Sequence, residues 1–325
     1  MGKTKRPWHD DAPVRVGISA CLLGEEVRWD GGHKRDRYIT DVLGPHVTWV
    51  PVCPELEIGM GVPREPVSLV RQGGEVRMVG VESGKDWTRR MNEWSERRAR
   101  ELGKLALCGY VLKKGSPSCG MERVKLRSEQ GRLRRAGRGL FADALLRRNT
   151  TLPVEEEGRL SDPVLRESFI ERLFAYRRLH ALFAPSWRLH DLVSFHTAHR
   201  LQLMSHSPQA CRTLGRMVAC AKQTPRSELS RRYASEFMTA LSSRATRQRH
   251  ANVLKHCLGT FGKRLEPDAR AEILALIEDY RAERVPRVVP ITMIRHHVRR
   301  LGIASLADQV YLTPDPRELM LRNHV

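Results

Sequence analysis

The sequence predicts an α/β N-terminal domain built on a Rossmann-like open parallel sheet, followed by an all-α C-terminal domain. Three observations predict it. Three short apolar runs between Val14 and Leu112 are each followed by a helical or basic segment, in the order strand–helix–strand–helix–strand–helix. From about Asp162 onward the periodic segments all have the helical repeat. The 325 residues are enough for two domains, each with a sizeable core.

Residues 1–12 are polar and are expected to be disordered. Val14, Val16 and Ile18 then alternate as in a strand that runs to Cys21. Gly24, Gly31 and Gly32 break the pattern. His33 to Leu43 has helical character, with Tyr38, Ile39, Val42 and Leu43 apolar, and Gly44-Pro45 stops it. Val47 to Cys53 is a second strand, and a loop through Gly59, Gly61, Pro63 and Pro66 follows. Asp86 to Gly103 predicts an amphipathic helix, because Trp87, Met91 and Trp94 fall at i, i+4 and i+7 and basic residues fill the other face. At that spacing the stripe belongs to the core rather than to a base-stacking platform.

Leu105 to Leu112 is a third, fully buried strand, and Lys113 to Gly120 is a loop. Residues 123–148 carry nine basic side chains against Glu129 and Asp143. Leu152-Pro-Val154 is a short strand, and Glu155–Glu157 reads as a solvated acidic loop. In the second half Val253, Leu254, Cys257, Leu258 and Phe261 form one stripe, and Ile273, Leu274, Ile277 and Tyr280 another. Prolines 185, 208, 225, 267, 286 and 290 punctuate the connections. The domains are placed at 14–160 and 187–310, with the boundary between them.

Hydrophobic residues make up 41% and charged residues 29%, the balance of a globular chain rather than a disordered or membrane-embedded one. No apolar run is long enough to span a bilayer, and the basic start Met1 to Pro7 leads into no apolar stretch, so a cytoplasmic protein is expected. The net charge is +20. Residues 1–150 hold 29 Lys and Arg against 19 Asp and Glu, and residues 151–325 hold 28 against 18. Both halves therefore attract polyanions, which points to nucleic acid as the partner.

Seven cysteines, an odd number, argue against a disulfide framework. Cys21 and Cys53 sit at the carboxyl ends of apolar strands, and Cys119 lies in the loop after the third. In an open parallel sheet, loops leaving that edge converge on the ligand site. Three thiolates suit an iron–sulfur cluster or zinc, and three ligands on a four-iron cube would leave one iron open. Three buried, inert cysteines are the alternative. Cys108, Cys211, Cys220 and Cys257 lie on strand or helix patterns and are assigned to packing.

Glu55, two residues past Cys53 behind a rigid proline, and Ser116, three before Cys119, are suited to moving protons beside a Lewis acid. Asp30, in Asp-Gly-Gly, is taken as a turn residue. His196 and His199, at i and i+3, could bind metal, but a structural or RNA-facing role is favoured.

Ser19-Ala-Cys-Leu-Leu-Gly24, Asp30-Gly-Gly-His33, Pro51-Val-Cys-Pro-Glu55 and Ser116-Pro-Ser-Cys-Gly120 resemble the thiouracil desulfidase family. The second half, through His199–Pro208, Ala245-Thr-Arg, His250–His256 and Val285–Ile291, resembles the helical domain found fused to it. The combined architecture is similar to bacterial tRNA 4-thiouridine desulfidases. The resemblance implies a [4Fe-4S] cluster held by Cys21, Cys53 and Cys119, with Glu55 and Ser116 as acid–base residues. It further implies non-redox hydrolysis of a thiolated uracil, the substrate sulfur on the open iron, uridine and hydrogen sulfide as products, and thiolated tRNA as partner. Arg244, Arg247, Arg249, Lys255 and His256 are then candidate phosphate contacts. The competing expectations are a desulfidase of free thiouracil-type bases and a non-enzymatic, metal-containing RNA-binding protein.

Overall fold

A computed structural model of the chain describes residues 13–313. Two compact units part between Phe169 and Ile170. The first is α/β and the second helical, as the sequence predicts.

The first unit holds two four-stranded sheets. One is wholly parallel, in the order β2-β1-β5-β8, from β1 (Arg15–Ser19), β2 (Thr48–Val52), β5 (Gly109–Leu112) and β8 (Val154–Glu156). The interior strand β1 is buried from Val16 to Ser19, as expected for a strand covered on both faces. Gly17 is obligatory there: a Cβ would lie 2.2 Å from the Tyr110 ring on β5. Pro51 is tolerated because β2 is an edge strand, where its missing N–H breaks no ladder bond.

The second sheet was not expected. It runs β4-β3-β6-β7, from β3 (Val67–Gln72), β4 (Glu75–Gly80), β6 (Val124–Arg127) and β7 (Leu133–Gly137). The β3–β4 and β6–β7 pairs are antiparallel, and β3–β6 is parallel. Its first hairpin turns on Gly73-Gly74, both at positive φ, as a two-residue turn between right-twisted strands requires.

Helix α2 (Thr88–Gly103) buries Met91, Trp94, Ala99 and Leu102, with Trp87 at its N-cap, so the aromatic stripe does belong to the core. It lies against α3 (Leu140–Arg148), and Phe141 sits between Trp94 and Tyr110. Three expectations need correction. Of His33–Leu43, only one wide turn forms, at Tyr38–Leu43, with Val42 exposed, because just two of its apolar residues reach the core. The third strand is shorter than its apolar run, with Leu105 exposed and Ala106 at φ 50° ahead of it. Glu155 and Glu156 are not solvated: they end β8, at 4% and 3% exposure, held by bonds described below.

Helix α4 (Pro163–Leu182) leads into the second unit, where α5 (Leu189–His206) packs against α6 (Pro208–Ala219), α7 (Arg226–Ser242) and α8 (Arg247–Phe261). Helix α9 (Pro267–Arg281) and α10 (Val288–Arg300) complete a second core around α8. The α8 stripe is buried throughout, whereas Leu274 of α9 faces outward, one position off the Ile273–Ile277–Tyr280 line. Cys211 and Cys257 are packed, but Cys220 is exposed, because α6 ends one residue before it.

Candidate active site

The carboxyl edge of the parallel sheet carries every residue of the expected site. Ser19 ends β1, and Cys21 lies in the short turn that follows. Cys53 follows β2 and is the N-cap of the one-turn helix α1 (Pro54–Glu57), which carries Glu55. The loop after β5 brings Lys113, Ser116 and Cys119. Together these residues line one cavity of ≈ 250 Å³, with Arg28, Trp29 and Arg64 among its other walls. The three cysteines, 32 and 66 residues apart in sequence, are thus gathered by topology.

Each thiol is out of water to a different degree. Burial raises Cys21 to about 11, against a partial offset from the Lys113 ammonium. Burial, then the Glu55 carboxylate, raises Cys53 to about 12. Burial, then the Glu55 carboxylate, raises Cys119, 3% exposed, while hydrogen bonds from Ser19 and Ser118 act the other way. The thiols hold their protons unless a metal claims them, so metal loading must release protons.

The loop Ser116–Gly120 is tightly built. Ser116 Oγ accepts from Cys119 N at 3.1 Å and from Ser118 N at 3.3 Å, and Gly120 N donates to Ser116 O at 2.8 Å. The start of α3 clamps it from outside. Gly139 N donates to Gly120 O at 2.8 Å, and Ala142 N to Ser118 O at 3.0 Å. A Cβ on Gly139 would stand 2.4 Å from Ser118 C and O and 2.8 Å from Cys119 N, so only glycine permits this approach.

Glu55 meets this loop across the cavity. Ser118 Oγ donates to Glu55 Oε1 at 2.5 Å, and Ser116 Oγ to the same oxygen at 3.5 Å. The two hydroxyls are 2.9 Å apart, and Ser118 Oγ is 3.7 Å from Cys119 Sγ. The Cys53 thiol reaches Glu55 Oε2 at 3.8 Å and Val27 O at 3.7 Å. A carboxylate, two hydroxyls and two of the three thiols therefore form one connected network. Ser118, fully buried, was missed in sequence; its signal was its place directly before a candidate ligand.

The acidic end of β8 holds the same loops. Glu157 pairs with Lys113 Nζ and accepts from Lys114 N at 2.7 Å, and Glu156 Oε1 accepts from Met121 N at 2.8 Å. Glu155 binds Arg159 at 2.6 Å. Lys113 N in turn donates to Ser19 Oγ at 3.0 Å. Asp30 closes its turn on Gly32 N at 3.1 Å and lies 3.4 Å from Arg28 Nε. Arg64 fixes the Val27–Trp29 wall by donating to Val27 O at 3.1 Å, while its own N–H bonds Trp29 O.

His196 and His199 of the second unit are buried and bonded within it. His196 Nδ1 is 3.1 Å from the Tyr233 hydroxyl, and His199 bonds Phe195 O through Nδ1 and Arg178 through Nε2. Among the candidate phosphate contacts, Arg249 is spent on the backbone, bonding His206 O at 2.7 Å. Arg247 pairs with Glu283 at 3.0 Å and Lys255 with Glu278 at 2.6 Å. Arg244 and His256 are exposed.

Both halves of the chain are similar to known proteins. A family model described as 2-thiouracil desulfurase matches residues 16–157, and a second, described as a protein of unknown function (DUF1722), matches residues 200–316. YbgA of Escherichia coli K12, an uncharacterized protein, is 30% identical over 158 residues, which is 48% of this chain and 94% of YbgA. YbbK of Bacillus subtilis 168, also uncharacterized, is 32% identical over 108 residues, 32% of this chain and 71% of YbbK. A solved structure of the [4Fe-4S]-dependent thiouracil desulfidase TudS shares 35% identity over 46% of this chain and 93% of its own, at a TM-score of 0.38. The matched segment 16–157 contains the three cysteines, Glu55 and both serines, and through it the chain belongs to the 2-thiouracil desulfurase family.

Proposed function

We propose that this protein is an iron–sulfur enzyme that hydrolytically removes sulfur from a thiolated uracil, 4-thiouridine in tRNA, giving uridine and hydrogen sulfide. One observation carries the proposal: three thiols line one cavity together with Glu55, whose carboxylate accepts a hydrogen bond from the buried Ser118.

The donor set fits a cluster. Cys21, Cys53 and Cys119 are soft sulfur ligands, and among the described residues no three His, Cys, Asp or Glu groups are gathered closely enough to hold a single ion. Thiolates that each bind a different iron of a cube stand farther apart than the ligands of one zinc. These three cysteines would hold a [4Fe-4S] cluster like the one in the name of TudS. When bound, it would supply a Lewis-acidic iron without a protein ligand, able to take the thiocarbonyl sulfur and weaken the C–S bond.

The chain's own groups do the rest. Glu55 accepts a proton from the attacking water. Ser118, hydrogen-bonded to Glu55, and Ser116 beside it carry protons toward the departing sulfur. Water enters and hydrogen sulfide leaves, so C=S becomes C=O and no electron donor is needed. Trp29, 45% exposed on the cavity wall, offers an indole face to a pyrimidine ring. A base inside folded tRNA must leave its stack to enter.

Anaerobic incubation of the reconstituted protein with thiolated tRNA, followed by nucleoside analysis and a sulfide assay, tests the proposal. The expected result is uridine and sulfide in equal amounts, with the brown chromophore and turnover both lost in Cys119→Ala. A colourless variant that keeps full turnover would refute the cluster assignment. Turnover of free thiouracil with none on tRNA would assign the chain to the free base instead.

A further inference from the structure

Tyr110, on the interior strand β5, carries a phenol that the proposed chemistry leaves unused. Its side chain is fully buried. The ring crosses β1 over its register partner Gly17, where a side chain would collide with it, and meets Phe141 edge-on at 5.8 Å. It belongs to the same core cluster as Val52, Ile58 and Cys119. A buried tyrosine hydroxyl ordinarily finds a hydrogen-bond partner, because leaving it without one costs free energy that phenylalanine would avoid. Yet the Tyr110 hydroxyl has no partner among the described residues. The charged groups near it define the partner that suits it. Burial raises this phenol well above its usual range, and negative charge on Cys119, then on Glu57, raises it further against the Arg98 guanidinium, with Cys53 adding to the rise. Two of these four groups are the expected cluster ligands. The other two offset each other, since Arg98 Nε lies 3.3 Å from Glu57 Oε2. A phenol held this firmly protonated acts as a donor, and the sulfur near it becomes a strong acceptor only when metal displaces its proton.

We infer that Tyr110 is a positioning residue for the iron–sulfur cluster: once the Cys119 thiol gives up its proton to bind iron, the Tyr110 hydroxyl donates a hydrogen bond to that sulfur from the core side. A thiol sulfur is a weak acceptor, whereas a thiolate is charged and forms a stronger bond. The hydroxyl therefore stabilises the loaded site and not the empty one. Cys119 needs such donors most, because at 3% exposure almost no water reaches its charge. Ser118 Oγ already stands 3.7 Å from its sulfur, and Tyr110 approaches from the opposite, apolar surroundings. Hydrogen bonds to the sulfurs of a cluster favour its reduced, more negative form and so raise its reduction potential. The inference rests on the assignment of Cys119 as a cluster ligand.

The test uses the full-length protein reconstituted with iron and sulfide, and its Tyr110→Phe variant, which keeps the ring that packs on Gly17 and Phe141. No desulfidation is measured, so the identity of the substrate does not bear on the result. The first measurement is the midpoint potential of the cluster in a spectroelectrochemical titration. The variant is expected to be harder to reduce, by about three- to tenfold in the reduced-to-oxidised ratio at a fixed potential, tenfold being about 59 mV for one electron. The second is iron release to excess chelator, expected to be severalfold faster in the variant. The third is melting of the metal-free proteins, in which the variant should be no less stable, because the hydroxyl it removes is unpaired there. A brown variant with the wild-type potential overturns the inference and leaves the cluster assignment standing. A lower melting temperature of the metal-free variant, with the potential unchanged, would give the hydroxyl a purely structural role and overturns it equally. If wild type itself takes up no cluster, the proposed function and the inference both fail, and the wild-type spectrum shows this before any variant is made.

Discussion

Ser116 and Ser118 do different work although they are two residues apart. Ser116 Oγ accepts two backbone amides and so shapes the loop that presents Cys119. Ser118 Oγ is the hydroxyl in close contact with Glu55. Ser118→Ala is therefore expected to keep the chromophore and lose turnover by roughly tenfold or more, whereas Ser116→Ala should lose cluster content first. Measuring iron per chain beside kcat separates the two, and equal iron loss in both variants would remove the distinction. Glu55→Gln should keep iron and lose roughly a hundredfold or more in turnover, the scale of a general base. In the helical unit, burial lowers His196 from 6.5 to about 4. The unfolded chain takes up that proton below pH 6.5 and the folded one does not until about 4, so this stability is present above 6.5 and lost as pH falls. The loss is on the order of 3 kcal/mol over that window. His206, raised by its bond to Glu171, acts at the other end, where its contribution is lost as pH rises. Urea titrations from pH 7 to 4 should show the decline in wild type and a flatter profile in His196→Gln.

At the level of elements, the cysteine loop depends on a helix that contributes no ligand. Gly139 precedes α3 and lets its first turn press directly on Ser118 and Cys119. Gly139→Ala must push that contact apart, at a cost of about 1–3 kcal/mol for overpacking. The expected outcome is a lower melting temperature together with impaired cluster retention. A variant with full iron content and unchanged melting would show that the loop holds its shape alone. Glu156 at the end of β8 and Glu157 just after it tie down the adjacent loops from the other side. The burial of Glu156 is offset by its bond to the Met121 amide, 35 positions away in sequence.

For the whole molecule, the relevant quantity is charge. The net +20 is divided between both halves of the chain. Association with tRNA should therefore weaken steeply and linearly on a log–log plot as salt rises. Filter binding between low and physiological salt checks this, and a salt-independent affinity would contradict nucleic acid as the partner. Among the described residues no helix is long and apolar enough to cross a membrane.

The linear sequence was sufficient for the parallel sheet, the aromatic stripe of α2, the helical second half, and five residues that line the cysteine-lined cavity, Cys21, Cys53, Glu55, Ser116 and Cys119. Those features are written in local periodicity and in short motifs at strand ends, which survive without knowledge of any partner. The second sheet was only partly legible: Gly73-Gly74 between alternating apolar residues marks its hairpin, but the parallel β3–β6 pairing joins segments about fifty residues apart. Tertiary structure alone decided that Glu155 and Glu156 are buried, that Arg247, Arg249 and Lys255 have intramolecular partners, and that Ser118 stands closer to Glu55 than Ser116 does. Charge and hydroxyl groups announce themselves in a sequence, but what they bond to is fixed by which chain segments the fold brings within about 3 Å.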